Sequence, residues 1–206
     1  PMAAGIPQTI RSATVKFRYN DLPSIEALFA QYPNQIACLI MEAETSEPPA
    51  AGFLQGVKRL CHAHGALFVL DEIITGFRWH NSGAQHCYNI EPDLSTFGKA
   101  MGNGFSVAAL AGKREIMELG GLAHQRERVF LLSTTYGAET FTLAAAMATM
   151  RIYQEEAVIE HLHSQGHKLM TGVHQAIVAN GLAAYFQLFG RPCNLVYATR
   201  DQAQQR

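Results

Sequence analysis

The spacing of apolar side chains predicts strands and helices that alternate through the first half of the chain. Wholly apolar runs of strand length occupy residues 36–41 and 66–70, which is typical of strands buried on both faces. Between them, residues 52–64 place apolar side chains at helical intervals, and Gly65 follows as a plausible helix stop. A strand, a helix and a strand in this order predict a parallel sheet covered by helices.

The rest of the pattern extends this α/β arrangement. A short amphipathic helix is predicted over residues 24–32, with Ser24 as a possible N-cap. Further strands are predicted over residues 93–97 and 107–111, and further helices over 113–119, 139–156 and 158–180. A last strand pair, over residues 184–188 and 193–198, follows the two long helices. We therefore predict a large domain over residues 1–182 and the beginning of a small C-terminal α+β domain over residues 183–206.

Composition removes several classes of protein from consideration. The 206 residues are 48% hydrophobic and 16% charged, with a formal charge of -1, so a sizeable core is expected and a nucleic-acid partner is not. No apolar run is long enough to span a bilayer, and the first residues lack the layout of a signal peptide. The four cysteines are scattered without a CxxC pair, which favours buried thiols in a reducing cytoplasm.

An acid and a lysine follow two successive predicted strands. Asp71 comes directly after the apolar run 66–70, and Lys99 comes just after the run 93–97 and before a glycine-rich turn. Open parallel sheets bind ligands outside the carboxyl ends of their strands. We therefore expect the two side chains in one crevice, although 28 positions separate them in the chain.

This pair of residue types fits one cofactor chemistry. A desolvated lysine has a lowered pKa and becomes a nucleophile towards an aldehyde. A carboxylate can hold a pyridine nitrogen protonated, and the two together are the signature of pyridoxal phosphate (PLP) enzymes. The residues alone leave two other interpretations open, because an Asp after a strand is often a helix N-cap and a Lys beside glycines is often a solvated turn.

Around these residues the sequence resembles the class III aminotransferases of PLP fold type I, and within them the glutamate-1-semialdehyde aminomutase branch. The resemblance rests on two long segments, LFVLDEIITGFR and PDLSTFGKAMGNGF. Shorter segments that fall in family order are FRYND at 17–21, GFL at 52–54, GALFVLDE at 65–72 and SGAQ at 82–85. The resemblance implies a PLP-dependent enzyme that transfers an amino group, or moves one between adjacent carbons of a single substrate.

The resemblance also implies roles for four residues. Lys99 would form the internal aldimine and move the proton between the substrate and the cofactor. Asp71 would pair with the pyridine nitrogen, and Ile73 would pack against the ring face. Thr134 aligns with the threonine that reaches the cofactor phosphate of the neighbouring subunit, although a cap of the following helix is the alternative. A homodimer with shared active sites is therefore implied, acting on a small amino or carbonyl substrate.

The sequence also departs from the family pattern. Glu42 is followed by Ala43 where the family often has Glu-Pro, and it is a weak candidate for a residue on the substrate side. Tyr136-Gly137-Ala138 replaces Ser-Gly-Asn, which favours an aminotransferase of a sugar or other carbonyl substrate over the aminomutase itself. The chain is also shorter than the family, so a truncated, non-catalytic domain that does not hold PLP alone is a further alternative.

Two other signals carry less weight. His163 and His167 lie one helical turn apart, but a metal site needs a third ligand on the same face, so no metal is expected. Arg78 follows the turn at Gly76 and could meet a substrate carboxylate, although an exposed arginine is the commoner explanation.

Overall fold

The protein is described here by a computed structural model, which describes residues 4–44, 47–127, 129, 135 and 137–199. Seven α-helices and six strands lie in these residues. The helices are α1 (Gln8–Ser12), α2 (Leu22–Gln31), α3 (Phe53–Ala63), α4 (Ala84–Cys87), α5 (Arg114–Met117), α6 (Thr140–Glu155) and α7 (Val158–Ala179). The strands are β1 (Cys38–Glu42), β2 (Leu67–Asp71), β3 (Leu94–Phe97), β4 (Ala109–Gly112), β5 (Phe186–Arg191) and β6 (Asn194–Thr199). Two short 3-10 helices cover Lys99–Met101 and Glu118–Gly120.

The chain forms two compact units. The first comprises Pro1–Leu39 and Pro49–Phe68, and the second comprises Ile40–Pro48 and Val69–Arg206. This division does not address a separate domain over residues 183–206, which stays a prediction. Among the described residues, no helix has the length and apolar content needed to cross a bilayer.

Helices α2 and α3 build the first unit. Gly56 of α3 lies so close to Leu22 of α2 that an added Cβ would clash with the leucine side chain. The buried ring of Phe29 stacks on His64 with a centroid distance of 4.5 Å. Because Gly56 has no side chain, the two helices approach each other closely and exclude water from this face.

A four-stranded sheet has the order β1-β2-β3-β4, and the second unit contains β3, β4 and the carboxyl-terminal residues of β1 and β2. Strands β2 and β3 pair in parallel, with Val69 opposite Leu94 and Asp71 opposite Thr96. Strand β4 runs antiparallel to β3. The predicted α/β class with a mainly parallel sheet is confirmed, and the antiparallel pairing of β4 adds to it.

Strands β5 and β6 form an antiparallel hairpin, which confirms the predicted strand pair. Its turn approaches α7 at Gly166, where an added Cβ would clash with the Pro192 backbone. Helices α6 and α7 coincide with the predicted long helices to within one residue at each end. The prediction of Ser24 as an N-cap is wrong. Asp21 caps α2, because its carboxylate accepts the backbone N–H of Ser24 at 3.1 Å.

Candidate active site

Asp71 and Lys99 lie at the same edge of the sheet. Asp71 is the last residue of β2, and Lys99 comes two residues after the end of β3. Because β2 and β3 are parallel neighbours, their carboxyl ends meet at one edge. The parallel pairing therefore puts both residues at one edge of the sheet, and their sharing of one crevice stays a prediction.

The Asp71 carboxylate is held through one oxygen and open at the other. Its Oδ1 accepts the backbone N–H of Ile73 at 2.9 Å and the hydroxyl of Thr96 at 3.1 Å. Within the described part of the chain, Oδ2 has no hydrogen-bond partner. Two donors on one oxygen fix the orientation of the carboxylate and leave the other oxygen to accept a proton-bearing nitrogen. This geometry fits the ring nitrogen of PLP.

Lys99 is exposed, whereas the cofactor chemistry led us to expect a desolvated lysine. The neighbouring residues explain the exposure, because Gly98, Ala100, Gly102 and Gly104 offer little side chain to cover the amine. The backbone of Lys99 has a φ of 44°, in the left-handed region that a long side chain rarely adopts. Its carbonyl accepts the N–H groups of both Gly102 and Asn103 at 3.0 Å, which holds the residue in this conformation.

Ile73 lies next to the lysine turn, which suits contact with a flat ring. Its side chain lies within 3.7 Å of the position that a Cβ on Gly98 would take. The Ile73 backbone N–H is also one of the two donors that orient Asp71. Ile73 therefore contacts both halves of the site. Its backbone N–H binds Asp71, and its side chain lies near Gly98, next to Lys99.

The pKa of Glu42, at the end of β1, is shifted by the charges of Asp71 and Lys99. Burial raises the pKa of its carboxyl, the charge of Asp71 raises it further, and the charge of Lys99 lowers it. A carboxyl with a raised pKa beside an acid and a lysine is a group that can take up a proton near the site.

Glu72 is the neighbour of Asp71 but faces away into the core. It is fully buried, and its two oxygens accept the backbone N–H groups of Ala84 and Gln85 at 2.7 Å each and the hydroxyl of Thr75. Burial raises the pKa of this carboxyl, and the three donors oppose the rise. An added Cβ on Gly83 would clash with the carboxylate, so a glycine is needed at that position. Glu72 anchors the start of α4 behind the sheet edge.

A second anchor joins Arg191 at the end of β5 to Glu44 and Tyr88. The guanidinium donates to the Glu44 carboxylate at 3.2 Å and to the Tyr88 hydroxyl at 3.0 Å, and it lies 4.1 Å above the ring of Trp79. Tyr88 donates to Glu44 in turn. Burial and this hydrogen bond raise the pKa of Tyr88 to about 12. The cluster fastens the hairpin to the loops that follow β1 and α4.

Two sequence predictions are not tested by this geometry. Thr134 lies outside the described residues. No group of three or more metal-ligating side chains occurs in the part of the chain that the structure describes, where His163 instead lies 3.4 Å from the carbonyl of Trp79.

Sequence reasoning missed three contributions to this region. Thr96, Glu72 and Arg191 were not singled out. The predicted strand bounds do not indicate Thr96, because strands aligned at residues 66 and 93 would put Gly98 opposite Asp71, whereas the observed register puts Thr96 there. No local pattern indicates the partners of Arg191, since Glu44 is 147 positions away.

The sheet and its edge define an α/β protein that presents an acid and a lysine as PLP enzymes of fold type I do. Over residues 2–180 the chain matches the class-III aminotransferase family, and it belongs to that family.

Comparison with individual proteins agrees with this assignment. The chain is 40% identical over 190 residues to the glutamate-1-semialdehyde 2,1-aminomutase of Desulforamulus reducens, covering 90% of the chain and 43% of that protein. The chain therefore spans less than half the length of this relative.

Solved structures share the fold across nearly the whole chain. The FumI protein of Sphingopyxis sp. MTA144, solved in its PLP internal aldimine form, superposes with a TM-score of 0.87 at 26% identity and covers 98% of this chain and 48% of its own. An omega-transaminase from Sphaerobacter thermophilus gives a TM-score of 0.79 at 25% identity, covering 93% of this chain and 44% of its own. The family and these neighbours indicate pyridoxal phosphate as the cofactor.

Proposed function

We propose that the protein is a PLP-dependent enzyme that transfers amino groups, with Lys99 as the residue that binds the cofactor covalently. The observation that supports the proposal is the sheet edge, where one of two parallel strands ends in an aspartate with one open oxygen and the other ends two residues before Lys99. When bound, PLP supplies an electron sink that stabilises negative charge on the carbon next to the substrate nitrogen.

Each residue at the edge has a role in this proposal. Lys99 would supply the amine that holds the cofactor, and its amine, when free, would serve as the base for the proton on the substrate carbon. Asp71 would keep the ring nitrogen protonated through its open oxygen. Ile73 would pack against one face of the ring. Thr134, which lies outside the described residues, would by the family resemblance contact the cofactor phosphate of the neighbouring subunit, so the proposed assembly is a homodimer with shared sites.

The test is a map of where the cofactor attaches. The protein is mixed with PLP, reduced with borohydride and digested, and the modified peptide is identified by mass spectrometry. We expect a yellow protein with the label on Lys99, and loss of that label in Lys99→Ala. Lys168→Ala is the matched control, because it removes an exposed lysine from α7, far along the chain from the glycine turn. A label retained on the protein in Lys99→Ala, or scattered over surface lysines in the unmodified chain, would contradict the proposal.

Two reactions are compatible with this site. The 40% identity to an aminomutase supports movement of an amino group within one molecule. The replacement of Ser-Gly-Asn by Tyr136-Gly137-Ala138 supports transfer to a separate carbonyl substrate, such as a sugar. The reactions are separated by supplying one amino aldehyde without a second acceptor. Turnover under this condition identifies the mutase, and turnover only after an oxo compound is added identifies the transaminase.

A further inference from the structure

A cavity of about 420 Å³ lies beside Lys99 in the second unit. Its lining includes Arg78, Lys99, Asn103, Tyr153 and Cys193. The volume falls within the range of small-molecule sites, which begins at about 300 Å³. The cavity is therefore large enough for a small substrate next to the proposed cofactor lysine.

The charges on the cavity wall have one sign. Arg78 and Lys99 are its charged residues, and no carboxylate belongs to the described lining. In the described part of the chain neither cation has an ion pair or a side-chain hydrogen bond. Arg78 is half-buried, which differs from the exposed arginine that the sequence suggested as the commoner case. A half-buried guanidinium without a counter-charge is partly desolvated, so binding of an anion would stabilise it.

The turn that carries Arg78 is held in place. The backbone N–H of Arg78 donates to the carbonyl of Thr75 at 3.2 Å, and Phe77 donates to the carbonyl of His80 at 3.0 Å. Phe77 has a φ of 56°, a conformation that costs free energy for an aromatic residue. The charge of Arg78 also lowers the pKa values of Tyr153 and Cys193, which burial raises, and both of these residues line the cavity with Arg78.

We propose that Arg78 binds a carboxylate of the amino substrate in this cavity, and so selects amines that carry an acid group. The inference rests on the proposed function of Lys99. Arginine suits the task because its planar fork pairs with a carboxylate through two parallel hydrogen bonds.

The phosphate of the cofactor is the other oxyanion that this cavity could take. Tyr153, a lining residue, lies in the last turn of α6, so the negative end of that helix dipole lies near the cavity. A doubly charged phosphate is penalised more strongly there than a singly charged carboxylate. Phosphates are commonly bound at helix N-termini instead. The carboxylate is therefore the occupant that the geometry favours.

The experiment compares two amine donors that differ only in the carboxylate, 4-aminobutyrate and butylamine, with the PLP-loaded protein. We expect Arg78→Gln to lower the ratio of their kcat/KM values roughly 10- to 100-fold, with Arg78→Lys in between. Arg114→Gln is the matched control, because Arg114 is an exposed arginine of α5 paired with Glu118. An unchanged ratio in Arg78→Gln would overturn the inference. So would a loss of PLP affinity as large as the change in ratio, which would assign Arg78 to the phosphate.

A second readout needs neither cofactor nor turnover. Trp79 is the single tryptophan of the chain and adjoins Arg78, so its fluorescence reports on the cavity. We expect glutarate to change this fluorescence saturably in the PLP-free protein and in Arg114→Gln but not in Arg78→Gln. Equal titrations in Arg78→Gln and the unmodified protein would contradict the inference. If glutarate binds through Arg78 but no label forms on Lys99, the carboxylate site stands and the proposed function fails.

Discussion

Two arginines of the second unit show how differently the same side chain can be used. The Arg191 guanidinium donates hydrogen bonds to the Glu44 carboxylate and the Tyr88 hydroxyl, and it lies over the ring of Trp79. Arg78 has no such partner among the described residues and faces a cavity with Lys99. The first arrangement holds a hairpin in place, and the second leaves a charge for a ligand.

The neighbouring acids Asp71 and Glu72 repeat this contrast one residue apart. Glu72 points into the core and accepts three hydrogen bonds through both oxygens. Asp71 accepts two bonds through one oxygen and keeps the other open. Successive side chains of an extended segment point to opposite faces, so the strand delivers one acid to the scaffold and the other to the site. Both residues are acids, so charge does not distinguish the site residue from the structural one. The difference is that Asp71 has an oxygen without a hydrogen bond and Glu72 does not.

The largest expected effect comes from breaking the support. Glu72→Ala leaves two backbone N–H groups and the Thr75 hydroxyl without their acceptor, so we expect a loss of about 3 kcal/mol in the free energy of unfolding. Glu72→Gln is the informative companion. It keeps one acceptor oxygen and removes a charge that burial opposes, so it should lose less. Urea denaturation measures both, and an alanine variant within 0.5 kcal/mol of the parent would show that the anchor is dispensable.

The next effect concerns the open oxygen of Asp71. In Asp71→Asn the amide oxygen can still accept from Ile73 and Thr96, so the fold and cofactor binding should survive. The amide cannot hold the ring nitrogen protonated, and we expect turnover to fall roughly 100-fold or more.

The control for this substitution is Asp93→Asn, which makes the same change on the buried acid that pairs with Lys113 at 2.6 Å. It should cost stability and leave the turnover of the folded protein unchanged. Absorbance of the bound cofactor and steady-state rates are measured for both variants. Near-normal rates in Asp71→Asn would remove Asp71 from the proposed chemistry.

The sequence carried most of the fold and the site, for a physical reason. Strands buried on both faces produce unbroken apolar runs, and long helices produce a clear period, so β2, α3, α6 and α7 were predicted within a residue or two. The rule that parallel strands present ligands at their carboxyl ends then predicted Asp71 and Lys99 at one edge of the sheet, where the strand pairing puts them. These features depend on local pattern and on one general rule of topology.

What the sequence could not supply depends on distant partners. Helix α4 is four residues long and begins at Ala84, whose N–H needs Glu72, twelve positions earlier, as its acceptor. The exposure of Lys99 and the unpaired state of Arg78 follow from how loops fold around a cavity. Both are outcomes of tertiary packing, which composition and periodicity do not encode.

The smallest expected effect sharpens the contrast between the two acids. Thr96→Val keeps the shape of the side chain and removes one of the two donors to Asp71 Oδ1, at a cost of about 1 kcal/mol. The Ile73 N–H remains, so the carboxylate should stay at the site but turn more freely. We therefore expect turnover to fall about fivefold, while the free energy of unfolding falls by no more than about 1 kcal/mol.

Thr96→Ser separates orientation from packing, because it restores the hydroxyl and lacks the methyl group. If the hydroxyl orients Asp71, the serine variant recovers the rate that the valine variant loses. Equal rates in the valine and serine variants would mean that the backbone N–H of Ile73 is enough to orient the Asp71 carboxylate. A single donor would then distinguish Asp71 from Glu72, whose two oxygens both accept hydrogen bonds.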